Sequence, residues 1–139
     1  MAHKPHPANV PGDFYVEDNC CTMCMLPFSE APELIGEVDD PRGCAHCYVK
    51  RQPRSLVETE RMLSAVRVAE LGCFRYRGHD RAIQSQLVES GEGWACDFLA
   101  AELLPRAAKL EAEAVRERKA RAGSRWKRFF AWFTHWLGA

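Results

Sequence analysis

Seven cysteines within 139 residues are the side chains of this sequence with the clearest chemical potential. Four of them form two pairs with C-x2-C spacing, and nineteen residues separate the pairs, which are Cys21 with Cys24 and Cys44 with Cys47. Two intervening residues allow both sulfurs of a pair to bind one ion, and two such pairs at this separation are typical of a tetrahedral zinc site. The spacing therefore predicts a metal centre.

The remaining thiols and one histidine leave alternatives open. Cys20 and Cys73 are additional thiols that a four-cysteine zinc site does not need, and the isolated Cys96 is expected to be structural. His46 lies within the second C-x2-C pair, where it is either an exposed loop residue or a nitrogen ligand in place of a thiolate. A weaker alternative is a redox-active dithiol formed by the first C-x2-C pair.

The compartment expected for these thiols favours metal binding over disulfides. Residues 1–11 have no apolar run typical of a signal peptide, and no apolar stretch reaches the ~20 residues of a membrane-spanning helix. We therefore expect a cytoplasmic protein with reduced thiols. The sequence also lacks a glycine-rich phosphate loop and a visible Cys–His nucleophile, so we expect no enzymatic activity.

The elements that must position the cysteines follow from local patterns. We expect, in chain order, a strand at 14–16, a helical turn at 30–35, strands at 47–49 and 73–76 with a helix between them, and a second helix from Asp80 to Gly91. The first helix begins at Ser55, which forms a capping box with Glu58, and Leu56, Leu63, Val66 and Ala69 are its predicted core stripe. This order predicts an α+β domain with a ferredoxin-like βαββαβ outline over residues 13–97. Residues 1–12 contain three prolines without periodicity and are predicted to be disordered.

The C-terminal part of the chain differs in charge from the rest. Residues 98–139 contain nine Lys and Arg against four Asp and Glu, whereas the first 97 residues contain ten against fifteen. We predict a basic helical tail over 98–139, kinked or restarted at Pro105 and broken at Gly123 and Ser124. Its aromatic end, residues 125–137, is amphipathic and is predicted to contact a membrane surface or a partner's groove, and no nucleic-acid partner is expected.

Several short segments between residues 10 and 78 share the pattern of one known family. These are the aromatic strand before the Cys loop, Ala31-Pro32-Glu33, Tyr48-Val49 through Gln52-Pro53, and Phe74-Arg75-Tyr76. Together they resemble a bacterial single-cluster ferredoxin. The resemblance implies a compact α+β domain, a 4Fe–4S or 3Fe–4S cluster, and the transfer of single electrons to a redox partner protein.

The ligand pattern of that family is only half present. The family uses C-x2-C-x2-C followed by a later Cys-Pro. Cys21 and Cys24 fall on the first two ligand positions, whereas Pro27 falls on the third and Ala69 on the fourth. The candidate replacements are Cys20, Cys47 and Cys73. The leading interpretation is therefore an iron–sulfur electron carrier, and the alternative is a cluster-free or zinc-stabilised ferredoxin-like module that binds another protein.

Overall fold

The structure is a computed structural model that describes residues 3–39, 43 and 45–137, with side chains described as far as residue 122. Its elements are β1 (Phe14–Val16), α1 (Leu26–Glu30), β2 (Ile35–Asp39), β3 (Ala45–Val49), α2 (Leu56–Val68), β4 (Phe74–Tyr76), α3 (Arg81–Glu89) and α4 (Leu104–Leu137). Short 3-10 helices lie at Gly93–Ala95 and Ala101–Leu103. The chain is thus an α+β protein, and its first six elements occur in the predicted order.

The strands form two separate antiparallel pairs. β1 pairs with β4, with Phe14 opposite Tyr76, and β2 pairs with β3, with Ile35 opposite Val49. Every residue of β1 and β4 is buried, which suits their short aromatic and β-branched sequences. α2 closes the core with Met62, Leu63, Ala65 and Val66.

The two strand pairs are connected through two side-chain amides, which lie between β1 and β3, where the two strands do not pair directly. The Asn9 Oδ1 accepts hydrogen bonds from the backbone N–H groups of Val16 and Val49 at 3.1 and 2.9 Å, and its Nδ2 donates to the Val16 carbonyl at 2.8 Å. Gln52 pairs with Phe14 in the same way, accepting from its N–H at 3.1 Å and donating to its carbonyl at 2.8 Å. A side-chain amide has the donor and acceptor of a peptide group, so it can replace one between β1 and β3.

Asn9→Ala is expected to lower the free energy of unfolding by about 2 kcal/mol, because it leaves the N–H groups of Val16 and Val49 without their acceptor. Chemical denaturation in urea measures this loss. Asn9→Asp is the matched variant, since it keeps the shape and the acceptor but removes the donor. A stability equal to that of the wild type in both variants would contradict the role given to this amide.

Residues 3–10 lie along β1, so the predicted disorder is wrong for this part of the N-terminus. The His6 N–H donates to the Val16 carbonyl at 2.9 Å, the Asp18 N–H donates to the Lys4 carbonyl at 2.8 Å, and His6 is buried. Prolines do not prevent isolated backbone hydrogen bonds of this kind. Such contacts leave no periodic pattern in the sequence, so they could not be predicted from it. Residues 1 and 2 lie outside the described part of the chain.

The predicted caps of the two middle helices are confirmed. The Ser55 hydroxyl accepts from the Glu58 N–H at 3.2 Å, and the Asp80 carboxylate accepts from the N–H groups of Ala82 and Ile83. Leu56 was predicted to be in the core but is 86% exposed, because it lies in the first turn of α2 ahead of the buried stripe.

α1 lies earlier in the chain than predicted. It spans Leu26–Glu30 rather than 30–35, and Ile35 instead begins β2. Pro27 lies in its first turn, where the missing N–H of proline costs nothing and its fixed φ favours the start of a helix.

α4 is longer and more regular than predicted. Pro105 lies at its start and causes no kink, and the helix continues through Gly123 and Ser124, where a break was predicted. Arg106 joins α4 to α3 through an ion pair with Glu89. Within the described residues, no helix has the length and apolar character needed to cross a membrane. The side chains of 125–137, for which a membrane or groove contact was predicted, lie outside the described part.

Candidate thiolate site

Cys21 and Cys24 lie in the loop between β1 and α1, which has an unusual backbone. Asn19, Met23 and Met25 have φ values of 61°, 55° and 61°, in the left-handed region that costs most non-glycine residues about 1–3 kcal/mol each. Such a conformation persists only where other contacts hold it. Here the loop curls back so that the Met23 N–H donates to the sulfur of Cys21.

The sulfur of Cys21 is surrounded by hydrogen-bond donors. It accepts from the Met23 N–H at 3.4 Å and from the Cys47 N–H at 3.3 Å. The second of these donors places the side chain of Cys47 beside this sulfur. Cys47 lies on β3 and is only 1% exposed, whereas Cys21 is partly exposed. The structure therefore brings together two cysteines that are 26 residues apart, one at the surface and one beneath it.

The two thiols differ strongly in their acidity. The neighbouring Cys47 thiol lowers the pKa of Cys21, and the backbone N–H groups of Cys47 and Met23 lower it further. The pKa of Cys47 is raised, chiefly because its proton is held by Cys21 and also because the thiol is buried. The two N–H groups that donate to the sulfur of Cys21 favour Cys21 over Cys47 as the thiolate of the pair.

His46 is buried rather than an exposed loop residue, since only 4% of it is accessible. Its Nδ1 lies 2.6 Å from the Cys47 carbonyl, and a carbonyl oxygen only accepts, so Nδ1 carries the proton. In the neutral ring the lone pair is then on Nε2, which is buried and has no hydrogen-bond partner among the described residues. The ring stacks on that of His6, with centroids 4.2 Å apart.

Cys20 and Cys73 form a disulfide, so the prediction of reduced thiols is wrong for this pair. Neither sulfur is available as a thiolate ligand in this state, so the prediction that Cys20 and Cys73 are ligands is not supported by the structure. The side chains of consecutive residues diverge, so Cys20 faces Cys73 while its neighbour Cys21 faces β3. The bond ties the Cys loop to the residue just before β4.

The other predicted ligands are placed only in part. Cys24 is partly exposed in the same loop, and its charge contributes to raising the pKa of Cys47. Cys44 lies outside the described residues. Over 3–39, 43 and 45–137, no three His, Cys, Asp or Glu side chains converge closely enough to hold a metal ion. Cys96 is a separate thiol whose pKa is raised to about 11 by burial, which suits the structural role predicted for it.

The sequence indicated Cys47 but neither its thiol partner nor the burial of His46. The burial of Cys47 could have been predicted from strand alternation. Cys47 and Val49 point to the same face of β3, and Val49 is a typical core residue. The contact of Cys47 with Cys21 joins residues that are 26 positions apart, and no local sequence pattern predicts such a contact.

Comparison of the chain with protein-family models, with curated proteins and with solved structures gives no match. The ferredoxin-like assignment and the cofactor therefore stay predictions, and the geometry around Cys21 carries the functional inference.

Proposed function

We propose that the chain is a ferredoxin-like module that binds one metal ion through Cys21 and the donor groups beside it, and that the loop so stabilised contacts a partner protein. The observation that carries this proposal is the sulfur of Cys21, which accepts hydrogen bonds from two backbone N–H groups. Donors arranged in this way favour a negative sulfur, and hydrogen bonds of this kind accompany metal-bound thiolates.

The residues present fit a cation in two respects. The sulfur of Cys21 offers lone pairs where two N–H groups favour its charged form. The buried Nε2 atom of His46, on the β3 residue before Cys47, is a second donor atom without a partner among the described residues. Histidines that bind metals usually donate their other ring N–H to a carbonyl or carboxylate, as His46 does to Cys47. Sulfur and imidazole nitrogen are both common zinc ligands.

The contact between Cys21 and Cys47 favours a single ion over a cluster. Two sulfurs bound tetrahedrally at about 2.3 Å from one zinc ion are about 3.8 Å apart. The hydrogen bond from the Cys47 N–H to the Cys21 sulfur holds the two side chains next to each other, as such a site needs. In a cluster each thiolate binds a different iron, and the sulfurs stand further apart. With Cys20 and Cys73 in a disulfide, Cys21, Cys24 and Cys47 are the described free thiols in or beside the loop, and Cys44 is supported only by the spacing. Zinc is therefore the proposed ion.

The rim of the loop supports contact with a partner protein. Met25 and Leu26 follow the first C-x2-C pair directly and are 39% and 47% exposed. Exposed apolar side chains beside this loop suit a protein interface better than bulk water.

An iron–sulfur electron carrier is the second candidate. The order of strands and helices and the N–H groups donated to Cys21 favour it, since hydrogen bonds to cluster sulfurs tune the reduction potential. Cys21, Cys24 and Cys47 would hold the cluster, which would supply single-electron transfer when bound. The loop would then have to separate the thiols of Cys21 and Cys47.

Elemental analysis of anaerobically purified protein tests both candidates. We expect one zinc per chain, no acid-labile sulfide and no colour, and we expect the zinc to be lost in Cys21→Ser. Cys96→Ser is the matched control and should retain the metal, because that thiol lies apart from the loop. A brown protein that contains iron and acid-labile sulfide would reject the zinc proposal and support the iron–sulfur electron carrier. The absence of any metal in the wild type would reject both.

A further inference from the structure

We infer that Cys21 and Cys47 also form a thiol–disulfide couple, which exchanges two electrons with a small-molecule disulfide of the glutathione type. This activity goes beyond the proposed metal binding and does not require an ion. It also changes the partner in the dithiol predicted from spacing, since the hydrogen bonds of Cys21 are made with Cys47.

The geometry of the two thiols supports this couple. The backbone N atom of Cys47 lies 3.3 Å from the Cys21 sulfur, so the Cys47 side chain starts beside that sulfur. A small movement of the loop can therefore bring the two sulfurs to the bond length of about 2.05 Å of a disulfide. Cys21 lies in a loop, which can move more readily than β3. The neighbouring Cys20–Cys73 disulfide shows that the same loop accommodates an oxidised cysteine pair.

The difference in exposure assigns a role to each sulfur. Cys21 is partly exposed, so its thiolate can attack a disulfide from solution, forming a mixed disulfide and releasing one thiolate of the small molecule. Cys47 is buried against Cys21, so after losing its proton it attacks the Cys21 sulfur and releases the second thiolate. The small molecule is reduced to two thiols, and the protein gains one disulfide.

Oxidation of this pair has a consequence for the proposed metal site. Both sulfurs would be withdrawn as thiolate ligands, so a bound ion would be released. The same sulfurs would then serve metal binding in the reduced protein and thiol–disulfide exchange when a disulfide is present.

The test uses the full chain in graded mixtures of reduced and oxidised glutathione, followed by acid quenching, alkylation of free thiols and peptide mapping by mass spectrometry. We expect a peptide pair linked through Cys21 and Cys47 to appear as the oxidised fraction rises. In Cys47→Ser the second step is removed, so the glutathione adduct on Cys21 should accumulate at least about tenfold over the wild type. Cys96→Ser is the matched control and should form the link normally.

Two results would overturn the inference. One is a link between Cys21 and Cys24, or no new link, in the oxidised wild type, which needs no variant to fold. The other is a glutathione adduct on Cys21 that is as abundant in the wild type as in Cys47→Ser. Metal content is measured separately on the reduced protein. A failure of the thiol–disulfide inference therefore does not decide whether the metal proposal is correct.

Discussion

Asp97→Ala is expected to lower the free energy of unfolding by about 3–5 kcal/mol, because it leaves a buried guanidinium without its counter-ion. Arg75 on β4 donates to the Asp97 carboxylate from Nε and Nη2 at 3.2 and 3.1 Å, and its side chain is only 8% exposed. The Tyr15 hydroxyl donates to the same carboxylate at 2.7 Å. Burial and the hydrogen bond to Asp97 raise the pKa of Tyr15 to about 12.

Urea unfolding followed by circular dichroism measures the loss, and Glu89→Ala is the matched control. Glu89 also pairs with an arginine, Arg106, but their side chains are 51% and 43% exposed, so the control should lose far less stability than Asp97→Ala. Tyr15→Phe should lose about 1 kcal/mol, since it removes one hydrogen bond and leaves the ion pair. Equal losses in Asp97→Ala and Glu89→Ala would show that burial of the pair does not matter.

Removing the Cys20–Cys73 disulfide is expected to destabilise the protein by about 4 kcal/mol, because the bond closes a long loop in the unfolded chain. The two cysteines are 53 residues apart, and the loop between them contains α1, β2, β3 and α2. The double variant Cys20→Ser and Cys73→Ser reports this loss as a lower urea midpoint. The wild type in reductant should show the same shift.

Cys96→Ser provides the control for the loss of a thiol alone, and its urea midpoint should fall much less. The double variant should also become insensitive to reductant, whereas Cys96→Ser should keep the full shift of the wild type. If the wild-type midpoint is the same with and without reductant, the disulfide contributes nothing to stability.

The local elements of this fold were largely predictable because their signals are local. The capping box of Ser55 and Glu58 and the cap at Asp80 each involve residues within three positions of one another. The strands at 14–16 and 74–76 follow from short aromatic and β-branched runs. α1 was misplaced because a five-residue helix has too few turns to show a period.

The candidate site was less predictable because its pairings are distant in sequence. Spacing pointed to the pairs 21/24 and 44/47, yet the structure pairs Cys20 with Cys73 and brings Cys21 against Cys47. Which of two consecutive cysteines faces the strand depends on the curled backbone around Met23, and no periodicity encodes it. The burial of His46 depends in turn on His6, which comes from a segment that was predicted to be disordered.

The side-chain amides of Asn9 and Gln52 also bear on aggregation. A strand edge with free N–H and C=O groups is a template onto which another chain can add a strand. At the edges of β1 and β3 that face each other, Phe14, Val16 and Val49 already have these two amides as partners. An extended segment of a second molecule could pair there only by displacing them. The two amides therefore protect these inner edges from intermolecular strand addition. In a larger sheet, an additional strand would have the same effect.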